Sequence, residues 1–446
     1  MSDLYRLNLF SGGALVGSVS YDPRAEAYSF RYDPSWIESA QAFPLSPAFP
    51  LEGRPETFGS IKRFIENLLP EGRALEFLSN NRQISKSNVF GLIREIGKET
   101  TGALTFLPEG EGPSVSQGSL REISTAELQE RIQTRDRIPF SVWDGQMRLS
   151  IAGYQDKLAV YLEQDRMFLP SDRFASTHLL KPEPVDDRLR GLVVNEYFCM
   201  RLARRIGLPV APVDLLRMPD PVLRVERFDR RSHPDGVHRL PVLDSCQALD
   251  FPVSYKYERN FGSGPDVRHI REGVSFPRLR GLAEHAVTPA VLRLGLVRWA
   301  LYQYLIGNSD AHGKNLSFYI GRGGLRLAPA YDLVSVVQIR DLGHELAMAF
   351  GDVFTFPAIR PFDFADFAVQ TRTPRKLLAK EMLKMAKAAA IHAPEEAQSP
   401  VYRPEEQSLV SGLVDFVLAQ AENLRVFAKP MAQLRADLFG SEPESP

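Results

Sequence analysis

The stretch Gly307–Tyr319, GNSDAHGKNLSFY, decides how this chain is interpreted. It follows a long apolar segment, Val291–Ile306, that contains almost none of the residues typical of turns. The segment predicts a buried helix, and the run LSFY that closes the quoted stretch predicts a strand. A dense polar cluster between a buried helix and a strand is either an ordinary connection or a place where chemistry occurs.

The spacing of the polar residues favours chemistry. Asp310 and Asn315 form the pattern D-x-x-x-x-N, and Asp332 follows in AYDL. Phosphoryl transfer from ATP needs one carboxylate beside the attacking hydroxyl, which orients the hydroxyl and takes its proton. It also needs an amide oxygen and a second carboxylate to hold Mg²⁺, a cation that prefers hard oxygen ligands. Asp310 fits the first role, and Asn315 and Asp332 fit the second.

The residues between Asn315 and Asp332 predict a β-hairpin. They read LSFYIGRGGLRLAPAY, which is a strand, a Gly-rich turn at Arg322–Gly324 and a second strand. Such a hairpin returns Asp332 to the neighbourhood of Asn315. The alternative for D-x-x-x-x-N alone is a solvated loop. No other histidine stands at metal-ligand spacing from His312, so zinc is not expected.

The upstream half contains candidates for a nucleotide-binding lobe. Lys181 ends the strand-like run THLLK, and Glu196 stands near the start of the next helix, an order typical of the lysine–glutamate pair of ATP lobes. Residues 150–157, SIAGYQDK, lie between two strands and can cover phosphates with backbone N–H groups, although a simple hairpin turn explains them equally well. Glu226–Phe228 end the last strand of this region and are placed as a hinge against adenine. Phe228 fits plain core packing as well.

The rest of the chain predicts an α+β protein with two lobes and a cleft between them. Short alternating runs predict β-hairpins near the start, Ile61–Leu78 predicts one helix, and Leu107–Gly118 has the composition of a linker. We expect a small β-rich module over 1–110, a β-rich N-lobe over 145–285 and a helical C-lobe over 286–440.

The composition restricts the class of function. The formal net charge is −1, with 44% hydrophobic and 24% charged residues, which argues against non-specific nucleic-acid binding as the main work. Two cysteines, Cys199 and Cys246, do not make a disulfide framework or a zinc site. No apolar run approaches the ~18 residues that suggest a membrane span. The start of the chain has no signal-peptide pattern, so we expect a cytoplasmic protein without membrane contact.

Several segments together resemble the HipA family, bacterial serine/threonine kinases that act as toxins of type II toxin–antitoxin pairs. The resemblance extends over essentially the whole chain, including the β-rich start LYRLNLFSGGALVGSVSYD. It rests on these motifs: SIAGYQDKLAV, THLLKPE, VVNEYFCMRLARRIGL, LRVERFDR, LDSCQALDFPVSYKYE, LIGNSDAHGKNLSFY and LAPAYDLVS. It implies a protein-kinase-like fold with ATP and Mg²⁺ as cofactors.

The resemblance also implies roles for single residues. Asp310 would be the catalytic base, Asn315 and Asp332 would hold Mg²⁺, and Ser150 would be the autophosphorylated serine whose modification ejects the phosphate loop. The remaining residues would contact the nucleotide: Ala152, Gly153, Tyr154, Gln155, Asp156, Lys157, Lys181, Glu226, Arg227, Phe228, His312, Gly313, Lys314, Asn315, Tyr331 and Asp332.

The family's partners follow from the same resemblance. It implies a small helix-turn-helix antitoxin similar to HipB, operator DNA bound mainly through that antitoxin, and an aminoacyl-tRNA synthetase, glutamyl-tRNA synthetase, as the protein substrate. Two alternatives stay open. Asp310, His312 and Asn315 also fit D-x-H-x-x-N of small-molecule kinases of the aminoglycoside or choline type, and a catalytically silent co-repressor would keep the fold without the activity.

Overall fold

The chain forms two compact units. The computed structural model describes residues 4–53, 59–113, 118–147, 156–171, 174–234, 236–339 and 343–439. The strand-rich unit comprises Met1–Val193, Ala211–Ser254 and Leu316–Ala328. The helix-rich unit comprises Val194–Val210, Tyr255–Asn315 and Pro329–Pro446. The predicted combination of a strand-rich half and a helical half in an α+β fold is confirmed.

The strand-rich unit begins with an antiparallel sheet of four strands in the order β3-β2-β1-β4. Its inward-facing side chains, such as Leu7, Leu9, Val19 and Phe106, are buried as the alternation in the sequence predicts. The elements of this region are β1 (Tyr5–Ser11), β2 (Ala14–Asp22), β3 (Ala27–Tyr32), α1 (Pro34–Glu38), α2 (Ser60–Glu66), α3 (Gly72–Arg82), α4 (Val89–Ile96) and β4 (Leu104–Pro108).

The prediction of a single helix over Ile61–Leu78 is wrong, because α2 and α3 are separate helices. Pro70 stands between them, lacks an N–H group and disfavours the helical conformation of the residue before it. Gly72 has φ +56°, which is outside the right-handed helical region. Leu68 and Leu69, which lie between the two helices, are nonetheless buried. The apolar periodicity therefore indicates burial and not a continuous helix.

A second sheet of six strands has the order β11-β12-β10-β8-β9-β5. Its core contains Phe140, Trp143, Leu158, Leu180 and Val222. The elements of this region are β5 (Leu120–Ile123), α5 (Thr125–Gln133), β6 (Val142–Trp143), β7 (Gln146–Met147), β8 (Leu158–Glu163), β9 (Arg166–Pro170), β10 (His178–Pro182), α6 (Leu192–Ile206), β11 (Val213–Met218), β12 (Asp220–Glu226), β13 (Arg230–His233), β14 (Gly236–Arg239), β15 (Val242–Asp244) and α7 (Ser245–Ala248).

The remaining elements are mainly helical, as the sequence predicts. They are α8 (Phe276–Gly281), α9 (Pro289–Ile306), β16 (Ser317–Gly321), β17 (Gly324–Leu327), β18 (Glu345–Phe350), β19 (Val353–Thr355), α10 (Pro361–Gln370), α11 (Arg375–Ala397) and α12 (Gln407–Gln433). The predicted hairpin is β16–β17, and with β15 it makes a three-stranded sheet in the strand-rich unit. Within the described ranges, no helix is long and apolar enough to cross a membrane.

Helix α9 is the central helix of the helix-rich unit's core. Trp299, Tyr302 and Tyr304 on it are almost fully buried, because the helix is apolar on nearly every face. Rings from other elements pack at close distances, with centroids of Tyr304 and Phe364 at 5.2 Å and of Phe350 and Phe364 at 5.3 Å. This aromatic core holds the end of α9 in place.

Helix α9 ends at a position that requires glycine. Gly307 has φ +69°, and a Cβ there would lie 2.5 Å from Cγ2 of Val337 and 2.6 Å from a ring carbon of Phe416. Its left-handed conformation caps the helix, with its N–H near the carbonyl groups of Gln303 and Tyr304. The polar cluster therefore leaves the helix in a fixed direction.

The buried carboxylate of Glu183 gives the strand-rich unit a pH-dependent stability. Its Oε1 accepts a hydrogen bond from the N–H of Leu192 at 2.9 Å. Burial raises the pKa of Glu183 to about 7, although hydrogen bonds from the backbone of Leu192, Val193 and Gly191 oppose the shift. Between the ordinary value of 4.5 and about 7, the folded state keeps a proton that the unfolded state releases.

Glu183→Gln is expected to remove this dependence. Since the folded-state pKa is raised, the free energy of unfolding falls as pH rises through 7, by up to about 3 kcal/mol between pH 5 and 8. Glutamine still accepts from the N–H of Leu192 but does not titrate. Urea denaturation at both pH values measures the difference, with Glu163→Gln as a control for loss of an exposed carboxylate. An equal pH slope in wild type and Glu183→Gln would contradict the assignment.

Candidate active site

The polar cluster after α9 folds back on Asp310. The N–H of His312 and Nδ2 of Asn315 both donate to the Asp310 carbonyl oxygen, at 2.8 and 3.1 Å. Oδ1 of Asn308 accepts from the Asp310 N–H at 3.1 Å. These bonds use the backbone groups of Asp310 and leave its side chain exposed, whereas His312 and Asn315 are buried. The loop therefore presents one carboxylate from a rigid frame, which suits a group that must orient a reacting hydroxyl.

Asn315 presents an oxygen that suits a hard cation. It ends a short 3₁₀ turn, Gly313–Asn315, and its N–H donates to the His312 carbonyl at 2.9 Å. Its Nδ2 donates to the Asp310 carbonyl, which fixes the orientation of the amide, and its Oδ1 makes no hydrogen bond within the described part of the chain. An amide oxygen held in this way fits Mg²⁺, which binds oxygen ligands and keeps several waters.

The chain returns to this loop at Tyr331 and Asp332. The hydroxyl of Tyr331 donates to the Lys314 carbonyl oxygen at 2.6 Å, so the residue before Asp332 is fixed to the residue before Asn315. Asp332 itself has φ +56°, a left-handed conformation that non-glycine residues seldom adopt and that is concentrated at functional sites. The contact of Tyr331 with Lys314 returns the chain to the loop next to Asp332, and the position of Asp332 beside Asn315 stays a prediction.

A second segment of the helix-rich unit fixes the loop from another direction. The N–H of Gly313 donates to the Lys256 carbonyl at 2.8 Å, and the hydroxyl of Tyr257 donates to Oδ1 of Asp310 at 2.7 Å. Residues 255–258 lie within SYKYE, a motif for which the sequence suggested no role. Its distance of 53 positions from Asp310 gives no local signal of the contact.

Lys181 and the hinge candidates belong to the strand-rich unit. Lys181 is buried on β10, a strand that pairs with both β12 and β8. Lys157 precedes β8, and the carboxylate of Asp156 accepts from the N–H of Phe140 at 2.8 Å. The Asp156 side chain thus holds the backbone of Phe140. A contact of Asp156 with a phosphate would therefore come from its backbone N–H group. Ser150 and residues 152–155 lie outside the described residues.

The backbone of Glu226–Phe228 is fixed by neighbouring strands. The N–H groups of Glu226 and Arg227 donate to the carbonyl groups of Pro212 and Thr177, both at 2.9 Å. The hydroxyl of Tyr319 donates to the Phe228 carbonyl at 2.8 Å, and the two rings meet edge to face with centroids 6.2 Å apart. Tyr319 is part of the LSFY strand, and the sequence did not identify it as a partner of the hinge.

The side chain of Arg227 is committed to a buried ion pair. Its Nε and Nη2 donate to the two carboxylate oxygens of Asp229 at 2.9 and 2.8 Å, and Arg230 Nη1 donates to the same carboxylate at 2.8 Å. Burial opposes the ionisation of Asp229, but Arg227 and Arg230 outweigh it and hold the pKa of Asp229 well below its usual range. A contact of Arg227 with a nucleotide would therefore come from its backbone.

The same network ties the loop before β4 to the hinge region. The N–H of Gly102 donates to Asp229 Oδ2 at 2.9 Å, and Ser176 bridges Arg227 to Glu99. Arg239 donates to the Gly102 carbonyl at 2.8 Å and to the Leu104 carbonyl at 2.8 Å. The loop before β4 is thereby anchored to the turn that follows β12.

The predicted site residues are distributed between the two units. Asp310, His312, Gly313, Lys314, Asn315, Tyr331 and Asp332 lie in the helix-rich unit, where the structure gathers them around one loop. Glu196, on α6, also lies in that unit and is buried. Asp156, Lys157, Lys181 and Glu226–Phe228 lie in the strand-rich unit.

Comparisons with known proteins support the resemblance to the HipA family. A model of the HipA-like C-terminal domain matches residues 149–393, and a model of the HipA N-terminal domain matches residues 7–107. The serine/threonine-protein kinase toxin HipA of Shewanella oneidensis is 41% identical over 384 residues, 85% of this chain and 87% of the relative. A putative kinase of Sinorhizobium fredii is 33% identical over 391 residues, 86% of this chain and 90% of the relative.

A solved structure extends the likeness to the whole fold. A Shewanella oneidensis complex of HipA, HipB and operator DNA contains a chain that matches with a TM-score of 0.87 and 38% identity, over 96% of this chain and all of that one. The fold and the relatives define a serine/threonine protein kinase. The chain belongs to the HipA family, and the resemblance found in its motifs is confirmed.

Proposed function

We propose that this chain is an ATP- and Mg²⁺-dependent serine/threonine protein kinase that acts as the toxin of a type II toxin–antitoxin pair. The observation that carries the proposal is the loop in which Asp310 presents its carboxylate and Asn315 its amide oxygen, with Asp332 returning behind Tyr331. The kinase needs ATP as its phosphoryl donor, so we place it in the cytoplasm.

Each residue of the proposed site has a chemical task. Asp310 orients the acceptor hydroxyl and takes its proton as that oxygen attacks the γ-phosphate, and ADP leaves. Asn315 and Asp332 would hold Mg²⁺, which would supply positive charge next to the phosphate oxygens. Lys181 binds phosphates of ATP, and the backbone of Glu226–Phe228 meets adenine. His312, Gly313, Lys314 and Tyr331 line the nucleotide.

Residues 152–157 are proposed as the phosphate loop, with Ser150 two positions before it. The backbone N–H groups of residues 152–157 would donate to ATP phosphates, with Lys157 as a nearby positive charge. Autophosphorylation of Ser150 would add ≈ −1.5 to −2 charges beside this loop and three acceptor oxygens that compete with ATP for the same donors. We therefore propose that the modification displaces the loop and switches the kinase off.

Ser150→Ala is expected to remove this self-inactivation without removing ATP binding. During incubation with ATP and Mg²⁺, wild type should gain one phosphate on Ser150 and lose activity, whereas the variant should keep its initial rate. Intact mass and phosphopeptide mapping measure the first effect, and a time course of substrate phosphorylation measures the second. Equal loss of activity in both proteins would exclude Ser150 as the switch.

The proposed partner is a small helix-turn-helix antitoxin similar to HipB. The relative solved with HipB and operator DNA supports it, since that chain matches this one over nearly its whole length. With a formal net charge of −1, the chain is poorly suited to bind DNA alone, so we propose that it reaches its operator mainly through the antitoxin and co-represses its operon with it. Expression without the antitoxin should arrest growth, and co-expression should relieve the arrest.

The proposed substrate is an aminoacyl-tRNA synthetase, with glutamyl-tRNA synthetase as the first candidate, because phosphorylation of a translation component explains growth arrest. Labelled ATP and Mg²⁺, incubated with the purified protein and the synthetase, test the kinase and its target together. Label on the synthetase supports the proposal. Label that appears only on an added aminoglycoside or choline would support the small-molecule kinase to which D-x-H-x-x-N also points. No label on any acceptor would support the silent co-repressor.

A further inference from the structure

Tyr257 contacts the proposed catalytic base directly. Its hydroxyl donates to Oδ1 of Asp310 at 2.7 Å, an ordinary distance for a hydrogen bond between a hydroxyl and a carboxylate oxygen. Its ring meets the His312 ring edge to face, with centroids 5.2 Å apart and an interplanar angle of 90°. Tyr257 thus touches two side chains of the catalytic loop, one through its hydroxyl and one through its ring.

The segment that carries Tyr257 is fixed on both sides of it. The Lys256 carbonyl accepts from the Gly313 N–H at 2.8 Å, and the Glu258 N–H donates to the Ala347 carbonyl at 2.9 Å. The buried carboxylate of Glu258 accepts from the Ala349 N–H at 2.8 Å and from Arg271 at 2.6 Å. The backbone of Tyr257 is therefore hydrogen-bonded through its neighbours to the catalytic loop and to β18, which fixes the position from which the phenol extends.

We propose that Tyr257 is a positioning residue that fixes the rotamer of Asp310 during phosphoryl transfer. Its hydroxyl donates a hydrogen bond to Oδ1 of Asp310, and Oδ2 of Asp310 makes no hydrogen bond within the residues that the structure describes. The acceptor hydroxyl then meets Oδ2, on a carboxylate that no longer rotates. This inference rests on the proposed kinase function, since it assigns Asp310 as the base.

Packing alone does not account for the hydroxyl of Tyr257. The residue is 37% exposed, so water can reach the neighbourhood of its ring, and loss of one oxygen atom leaves no buried cavity. The Asp310 side chain is exposed as well and could be solvated without the phenol. What the hydroxyl adds is orientation, and orientation affects the rate of the reaction rather than the stability of the fold.

Tyr257→Phe is expected to lower kcat by about tenfold to a hundredfold, because a hydrogen bond to a charged group contributes that much when it acts in the transition state. KM for ATP and the melting temperature should stay close to those of wild type. Tyr255→Phe is the matched control, since Tyr255 lies two positions away and its hydroxyl faces Glu272 at 3.4 Å. That variant should keep the wild-type kcat.

A double-mutant cycle separates positioning from a merely structural role. In a protein that already carries Asp310→Asn, Tyr257→Phe should lower the residual rate by less than twofold, because the two residues act as one unit. An unchanged or raised kcat in Tyr257→Phe alone, with phosphoryl transfer by wild type intact, would overturn the inference and leave the kinase function standing. Absence of transfer by wild type would overturn the proposed function itself.

Discussion

Asp229→Ala is expected to lower the free energy of unfolding by about 3–5 kcal/mol, the cost of removing one partner from a buried ion pair. Asp229, Arg227 and Arg230 are each at least 91% buried. The carboxylate accepts from both guanidinium groups and from the Gly102 N–H. Its loss leaves two positive charges close together in the interior, and the Glu99 carboxylate, 4.0 Å from Nη1 of Arg227, is too distant to accept hydrogen bonds in its place.

The surface pair of Asp214 and Arg224 provides a matched control for this variant. The two residues lie on β11 and β12 of the same unit, and the Asp214 side chain is 60% exposed. Asp214→Ala removes the same chemical group from a hydrated ion pair, so its effect should be about 0–1 kcal/mol. Urea denaturation followed by circular dichroism measures both variants. Equal destabilisation by the two substitutions would show that burial of the network is not what makes it important.

The elements that the sequence predicted correctly are those with a local periodic signal. The buried helix α9, the helical content after it and the hairpin β16–β17 follow from apolar spacing and a Gly-rich turn. Pro70 marks the break between α2 and α3 in the sequence, but the apolar spacing continues across it and led to the prediction of a single helix. Local patterns were sufficient because the backbone hydrogen bonds within a helix or a hairpin join residues close in the chain, although packing against distant residues stabilises them.

The parts that could not be predicted depend on contacts between distant residues. Gly102 and Asp229 are 127 positions apart, and Tyr257 and Asp310 are 53 apart. In VERFDR, position after a strand predicts that Glu226–Phe228 form a hinge against adenine, but it gives no sign that the Arg227 side chain pairs with Asp229 two residues later. Spacing indicates which residues share an element. Which side chain faces a ligand and which faces a neighbouring charge is decided by packing.

Asp310→Asn is expected to lower kcat for phosphoryl transfer by about 10²–10⁴-fold, the usual contribution of a general base. Asparagine has nearly the same shape and keeps one oxygen that can accept from the Tyr257 hydroxyl, but it cannot take the proton of the acceptor. The loop should keep its form, because its internal bonds use the Asp310 backbone and not its carboxylate. Affinity for MgATP should therefore stay near that of wild type.

Asp332→Asn separates the role of base from that of metal ligand. Asparagine at 332 keeps an oxygen but loses the charge, so the variant should need a higher Mg²⁺ concentration for half-maximal rate, whereas Asp310→Asn should not. Asp352→Asn is the control in the same unit, since its carboxylate is 77% exposed and pairs with Arg271. Titration of the initial rate with Mg²⁺ compares the three proteins.

The assignment of Asp310 as the base fails if Asp310→Asn keeps more than about a tenth of the wild-type kcat. Such a loss is far smaller than removal of a general base produces, and the acceptor would then be oriented by another group.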